Sequence, residues 1–532
     1  MFNRAYAEFK QPLTNLVRGV PNAHQESLVR KTVLYAALFA TTATAVSATD
    51  FGEKAEQLAK VLSPFLFGTL GTLDESSTVS LTAAEADANP AKLLTVANGL
   101  KVSVVSAKPD LGPNVDQMLL WPNDIHPTHI IACNEQGAGQ VAVQRIDLAS
   151  GTPENIISAG LTSCDPVRIT PWGTVLAGEE NGVNGRLFEI LDPLHTTGVM
   201  ISGAGSSTTI SDPAHVARLG AVGQFAFEGL ALMPTGVLYI SDENRPGTGG
   251  LGNPGGAIVK FIPTVPWHGG APITDLAQSP LAQGTLWGMR LGRNSGNTDV
   301  GQGNEFGRGV WVQVPTSTNE SPTNLRSAAL TLKLTSYYRP EDMGIDLEAL
   351  KNGNVRFCGT NTGQDIENQD NHFGEVYCIT DGTVEAAGSI TTATQTSGGV
   401  TYTLNTASVP EYQPLVIGNF DFAMMDNVAY QPGSGNWVMN EDGEGPFFAT
   451  PRNNDIWDCL DDGDDDDNLT DACVKVMTLN DLNAESTGGL FDGTGKAYYV
   501  SIQHNVTGHG VILKVTGWRN VEERHHGWLK KH

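Results

Sequence analysis

The sequence predicts an all-β fold, a six-bladed β-propeller with an N-terminal extension and long loop insertions, and three observations carry that reading. The first is a repeated grammar: an acidic residue, a short apolar run, a Gly turn, a β-rich run and a polar or acidic close. It occurs at 165–180 (DPVRITPWGTVLAGEE), 228–243 (EGLALMPTGVLYISDE), 341–361, 426–442 and 485–504, and more loosely at 116–135. The second is spacing. Starts at 116, 165, 228, 341, 426 and 485 lie about one four-stranded sheet apart, with long insertions in two intervals. The acid-to-glycine offsets of 8, 8, 12, 9 and 10, to Gly173, Gly236, Gly353, Gly435 and Gly495, are too irregular for a short solenoid. The third is what lies between: further strand-like runs at 140–146, 186–190, 257–261, 310–314, 375–379 and 511–515, and few helical patterns. That excludes a doubly wound α/β fold and favours radial repetition of small sheets.

Taken in order, the chain divides into four parts. Residues 1–48 read as an export segment. An uncharged stretch at 32–48 (TVLYAALFATTATAVSA) follows Arg30-Lys31 and ends in Val46-Ser47-Ala48, a small-residue cleavage pattern. Arg30-Lys31-Thr32 also resembles a twin-arginine signal with Lys in the second position, so a periplasmic or extracellular location is expected. The stretch is short and Thr-rich for a membrane span, and no later segment approaches one. Residues 49–95 begin helical and turn polar, an extension leading into the body. Residues 96–518 are the propeller domain, and 519–532 a surface tail whose His525-His526 pair reads as solvated.

Composition narrows function. The 532 residues carry 32 Lys+Arg against 58 Asp+Glu, a net charge of −26. Nothing there tracks a phosphate backbone, which excludes nucleic-acid binding; the acidic surplus suits an exported protein or one that collects hard cations. Six cysteines are too few for a disulfide scaffold. Cys459 and Cys473 bracket an acidic loop and Cys358 and Cys378 end neighbouring β runs, so each pair is placed to bridge.

The repeat itself points to a site. If each segment is a hairpin, its opening acid and closing polar pair lie at one end of the sheet, and radial stacking gathers those ends around one channel mouth. That brings together Glu179, Glu180, Glu228, Asp242, Glu243, Glu341, Asp342, Asp426, Glu441, Asp442 and Glu485. So many carboxylates stay ionised together only with cations among them, and oxygen donors favour Ca²⁺, Mn²⁺ or ferric iron. Taken singly, each acid is an ordinary turn cap; recurrence at matched positions argues otherwise for the set. Other signals are weaker. The glycine run at 247–252 is followed by a β run, not a helix, so it is no dinucleotide fingerprint. The acid run at 461–467 lacks the glycine and glutamate of a calcium loop. The sequons at Asn319, Asn468 and Asn505 decide nothing.

Cys164, Thr170-Pro-Trp-Gly-Thr174 and Glu179-Glu180-Asn181 resemble the signature of the PhoX-type alkaline phosphatases. Phe227-Glu228, the run at 239–245 (YISDENR), Arg339-Pro-Glu-Asp342, Asp426-Asn427, Glu441-Asp-Gly443, the run at 485–488, Ser501-Ile-Gln-His504 and Asn134-Glu135 follow in the family's order, over about residues 95–518. The resemblance implies a secreted six-bladed propeller hydrolysing phosphate monoesters at an Fe³⁺ and Ca²⁺ cluster. It implies iron ligands at Cys164, Glu180, Glu228 and Glu341, with Glu179 beside them in the motif. Calcium ligands would be Glu135, Asp242, Glu243, Asp342, Asp426 and Glu485. Two departures stand out: Asp165-Pro-Val-Arg168 follows the cysteine where a small, Gly-containing run is usual, and Gln503-His504-Asn505 replaces a QHP. If Cys133 and Cys164 pair, the iron-thiolate reading fails. Arg245 and Arg339, beside motif acids, are the candidate phosphate clamps, with structural pairing to those acids as the alternative. The expected partners are small phosphorylated substrates, and the expected state a monomer. The competing functions are a non-catalytic, calcium-stabilised exported propeller that binds a partner or surface, and a Ca²⁺-dependent lactonase-like hydrolase.

Overall fold

Each repeated segment folds as an antiparallel hairpin, because an apolar β run on either side of a glycine turn buries both arms. The computed structural model describes residues 53–245, 255–291, 306–363, 373–443, 451–461 and 469–519. The first arms of the six hairpins are β1 (Val115–Trp121), β2 (Cys164–Ile169), β3 (Phe227–Leu232), β4 (Pro340–Ile345), β5 (Met425–Tyr430) and β6 (Glu485–Phe491). Gly173, Gly236, Gly353, Gly435 and Gly495 all turn with φ between 65° and 90°, a conformation costly for a side chain. The longest acid-to-glycine offset is explained by a one-turn helix, Leu347–Lys351, inserted between the arms.

These six strands contact one another in sequence, and β6 returns to β1, closing a ring around a central channel. Partner strands run outward from each, giving a propeller-like all-β fold. Hydrogen bonding divides the described strands into five sheets. Those led by β1, β2, β5 and β6 are separate. The sheets of β3 and β4 are one continuous path, because Gly307–Gln313 pairs with Gly284–Leu291 on one side and with Glu411–Ile417 on the other. The apolar core lies in the wedges between neighbouring sheets: Ile131, Val143, Val167 and Ala177 between the first two, Leu120, Ile130, Tyr499 and Ile512 between the last and the first.

The N-terminal segment is woven into this ring. Its helix Glu53–Leu66 precedes two strands that complete other sheets: Leu94–Val96 pairs with Cys473–Leu479, and Lys101–Ser106 pairs with Ile512–Thr516. Ser76 donates to Asp455 Oδ2 at 2.6 Å, and Lys475 Nζ lies 2.7 Å from the same oxygen.

All six cysteines are paired: Cys358–Cys378, Cys459–Cys473 and Cys133–Cys164. The first two are bridges across facing positions of adjacent strands, as their placement in the sequence indicates. Among the described residues no helix is long and apolar enough to cross a membrane. The export segment, the glycine run at 247–252, residues 462–467 of the acid run and the tail from 520 lie outside the described residues.

Candidate functional site: a cavity ringed by carboxylates

The six opening acids of the repeat, Asp116, Asp165, Glu228, Glu341, Asp426 and Glu485, all line one cavity of about 300 Å³ at the mouth of the channel. Each is the first or second residue of its strand. In β1 to β5 the strand pairing slips at the acid, between Val115 and Met118, Cys164 and Val167, Phe227 and Leu230, Pro340 and Met343, and Met425 and Asn427. A bulge re-aims a side chain that ordinary pleating would send into a sheet face. Ser163, Arg339 and Met424, each just before one of these strands, hold positive φ of 45°, 53° and 55°, so strained backbone clusters at the same rim.

The returning arms add a second tier. Facing the strand starts are Asn134, Glu179, Asp242, Asn361, Glu441 and Gln503. Five of these are engaged with neighbours: Asn134 with Gln144, Glu179 with Arg186, Asp242 with Arg326, Asn361 with Glu375 and Glu441 with Arg452. Gln503 donates to Glu135 at 2.8 Å. The residue after each, where the chain leaves the strand, comes to the cavity: Glu135, Glu180, Glu243, Asp442 and His504. In the remaining hairpin Thr362 donates to Glu341 Oε1 at 2.9 Å.

Of the expected ligands, the structure therefore gathers Glu135, Glu180, Glu228, Glu243, Glu341, Asp426 and Glu485, together with Arg245 and Arg339. Four others need correction. Glu179 is fully buried, accepting from Arg186 Nε and Nη2 at 2.6 Å and from Thr162 N at 2.9 Å. Asp242 takes Arg326 Nε at 2.9 Å on both oxygens. Asp342 pairs with Arg168. Each has its own arginine and none lines the cavity. Cys164 is bonded to Cys133 within an apolar cluster, so it offers no thiolate and the iron-thiolate reading fails here. Asp116, Asp165 and His504 were not among the site residues expected from the sequence, and Asp442 was expected at the mouth without a ligand role. The signal for the first two was present, since both are opening acids of the repeat.

Ten carboxylates line the cavity against two arginines. Single oxygens of Glu228, Glu341 and Asp426 lie within 4.8 Å of one another. Burial, followed by repulsion from neighbouring carboxylates, pushes Asp116, Asp165, Glu180, Glu228, Glu341, Asp426 and Glu485 well above the usual carboxylate range. Glu243 is the exception. Burial raises it, but Arg339 and Arg245 outweigh that and hold it low. Arg339 Nε sits 2.9 Å from Glu243 and 3.2 Å from Glu341, with Nη2 3.4 Å from Asp442. Arg245 is half exposed at the rim, 3.7 Å from Glu243. Asp116 Oδ1 is buried with no hydrogen-bond partner among the described residues.

The donor set is dominated by carboxylate oxygens, with the His504 imidazole and the Met424 thioether also in the lining. An unpartnered buried carboxylate oxygen among crowded carboxylates fits hard cations, whose charge would let the ring ionise. Asp116, Asp165, Glu228, Glu341, Asp426 and Glu485 would hold them.

A propeller-like β protein with a polycarboxylate channel mouth is the class that fold and site define. The profile described as alkaline phosphatase PhoX matches residues 167–505, and the chain belongs to that family, whose members are metal-dependent phosphatases. Among solved structures, the chain is similar to Pseudomonas fluorescens PhoX in complex with vanadate, a transition state analogue. The identity is 15% and the TM-score 0.54, covering 84% of this chain and 98% of that one. Lower scores are found for the PQQ-bound aldose sugar dehydrogenase of Streptomyces coelicolor (14% identity, TM-score 0.39, 78% and 98% covered). The calcium structure of the Trichoderma reesei family AA12 enzyme is similar at 12% identity and TM-score 0.40, with 80% and 97% covered. No curated protein matches.

Proposed function

We propose that this enzyme is an exported phosphatase that hydrolyses phosphate monoesters at alkaline pH, using hard cations held by the carboxylate ring. The observation that carries the reading is the ring itself: six strands deliver six acids to one cavity, in a chain of the PhoX family. The ring of β1 to β6 supports counting six blades, two of them joined edge to edge.

Calcium fits the oxygen donors directly. Ferric iron fits through carboxylates alone, without the thiolate that the family resemblance implied. Bound cations would supply Lewis-acid stabilisation of the phosphoryl oxygens and lower the pKa of a bound water. The protein's own residues do the rest. The ring carboxylates fix the charge in place, and Arg245 at the rim offers a guanidinium fork to a non-bridging oxygen of the ester. Arg339, buried among Glu243, Glu341 and Asp442, orients those acids in the cavity wall. An acidic pocket disfavours anionic polymers and admits a small ester neutralised by cations. The signal-like segment at 32–48 supports export, and a monomer is the simplest state for a self-closed ring.

The test is p-nitrophenyl phosphate turnover with and without chelator, alongside elemental analysis. Activity lost on chelation and restored by Ca²⁺ and Fe³⁺ supports the reading. Equal turnover in metal-free protein would overturn it, and turnover of a lactone in place of the phosphate ester would move the protein to another hydrolase class.

A further inference from the structure

Directly beneath the acid ring lies a chain of contacts that the chemistry above does not use. Arg168, on β2, donates from Nη1 to Gln117 Oε1 at 2.7 Å and from Nη2 to Asp342 and, at 3.1 Å, to Met343 O; its Nε donates to Leu230 O at 3.0 Å. It thus ties together β1, β2, β3 and β4 at the channel centre. Gln117, on β1 and fully buried, donates from Nε2 to Asp165 Oδ1 at 3.1 Å, to Glu228 Oε1 at 3.1 Å and to Glu228 O at 3.3 Å. An amide has two faces, and its orientation is often ambiguous. Here it is not, because arginine has donors only. With Arg168 on the carbonyl side, the NH₂ side must face the two carboxylates.

We infer that Gln117 and Arg168 form a positioning relay that presets Asp165 and Glu228 for cation binding. The inference rests on the reading that the cavity holds hard cations. One oxygen of each carboxylate is engaged by the amide, which fixes the rotamer of both. Glu228 is also one of the three acids whose oxygens converge within 4.8 Å, so its placement sets the spacing of that group. Gln117 is neutral, so it steadies two carboxylates without competing for the cation as a lysine would. Arg168 supplies the positive charge one step removed, already balanced by Asp342. Outer partners of this kind tune metal affinity by about 10–100-fold.

Gln117→Met keeps length and volume and removes both donors; Arg168→Gln keeps a donor and removes the fork. Calcium titration by calorimetry on the full chain should show binding weakened about 10–100-fold in both variants. The gain in Tm on adding Ca²⁺ should shrink in parallel. The Tm of the chelated Gln117→Met protein separates the roles. A merely structural glutamine would lower the chelated and loaded Tm by the same amount, leaving the calcium-dependent gain intact. That result, or unchanged calcium affinity in Gln117→Met, overturns the relay. A parent protein that binds no calcium, iron or other hard cation overturns the cavity reading, and the relay with it.

Discussion

Glu179 and Glu180 are consecutive, yet Glu179 is buried against Arg186 at 2.6 Å while Glu180 faces the cavity. The strand ends at Glu179, and alternation across it sends one carboxylate behind the sheet and the next to the channel. The same division separates Asp242 from Glu243 and Glu441 from Asp442. One member of each pair holds an arginine outside the cavity and stabilises the blade. The other contributes charge to the site.

The two glutamates should therefore fail differently. Glu179→Gln leaves Arg186 buried without its counter-charge, a change costing about 3–5 kcal/mol. Denaturant midpoints of the chelated protein should fall accordingly. Glu180→Gln removes a carboxylate already pushed well above its usual range by burial and by Glu243 and Glu135. It should leave the chelated midpoint unchanged or raised while phosphatase turnover falls at least about tenfold, the loss of roughly one pKa-unit-equivalent of charge stabilisation. Equal stability losses in the two variants would contradict the division.

How much of this was legible in the sequence follows from the same geometry. The opening acids and turn glycines recur because each hairpin needs a channel end and a tight turn, so the hairpins, the β class and the cavity could all be read. Which acid of an adjacent pair reaches the cavity depends on where the strand ends and on a distant arginine. Arg326 lies on the helix Leu325–Leu332, far from Asp242 in sequence, and nothing local announces it. Asp165 directly follows the motif cysteine Cys164, and Asp116 opens the loosest of the six repeats, so neither stands out locally as a ligand. The joining of the β3 and β4 sheets through Gly307–Gln313 is a long-range edge pairing with no signature in either strand.

The Cys133–Cys164 bond gives the next prediction. With no free thiolate at the site, the iron-loaded protein should lack the visible band of a ferric thiolate. Cys164→Ala should lower stability by about 2–5 kcal/mol, the usual cost of losing a native disulfide. Turnover per folded molecule should be largely retained. A band that Cys164→Ala bleaches together with activity would show that the thiol reaches a metal after all.

Chelated protein should be more stable at mildly acid pH than at pH 8. Seven cavity acids are raised in the folded state, so between the ordinary carboxylate range and their raised values the native chain binds more protons than the unfolded one. Stability then falls as pH rises through that window. Glu243, held low, opposes the trend but is outnumbered. Saturating Ca²⁺ should reverse the slope, because cations bind the deprotonated ring and favour the native state as pH rises. Urea midpoints across pH 5–8, with chelator and with Ca²⁺, check both signs; a flat chelated profile would mean the ring acids are not raised.

The last prediction separates the two arginines of the cavity. Arg339 is nearly buried and lies within 3.4 Å of three carboxylates, so it is part of the charge structure of the ring. Arg339→Ala should lower stability and activity together, since it leaves Glu243, Glu341 and Asp442 less compensated. Arg245 is half exposed, with Glu243 at 3.7 Å. An exposed pair of this kind adds little to stability, at most about 1 kcal/mol. In the proposed reaction its guanidinium, in the cavity lining, meets a non-bridging oxygen of the ester. A charge-assisted hydrogen bond there is worth about 1.5–3 kcal/mol, or roughly 10–150-fold in kcat/KM. Arg245→Ala should thus keep its Tm and lose activity toward p-nitrophenyl phosphate on that scale, with free phosphate weakened as an inhibitor in parallel. Arg245→Lys should recover part of the loss, because a point charge replaces the fork without its second hydrogen bond. Unchanged kcat/KM in Arg245→Ala would assign the arginine to structural pairing and leave substrate recognition to the cations and the ring.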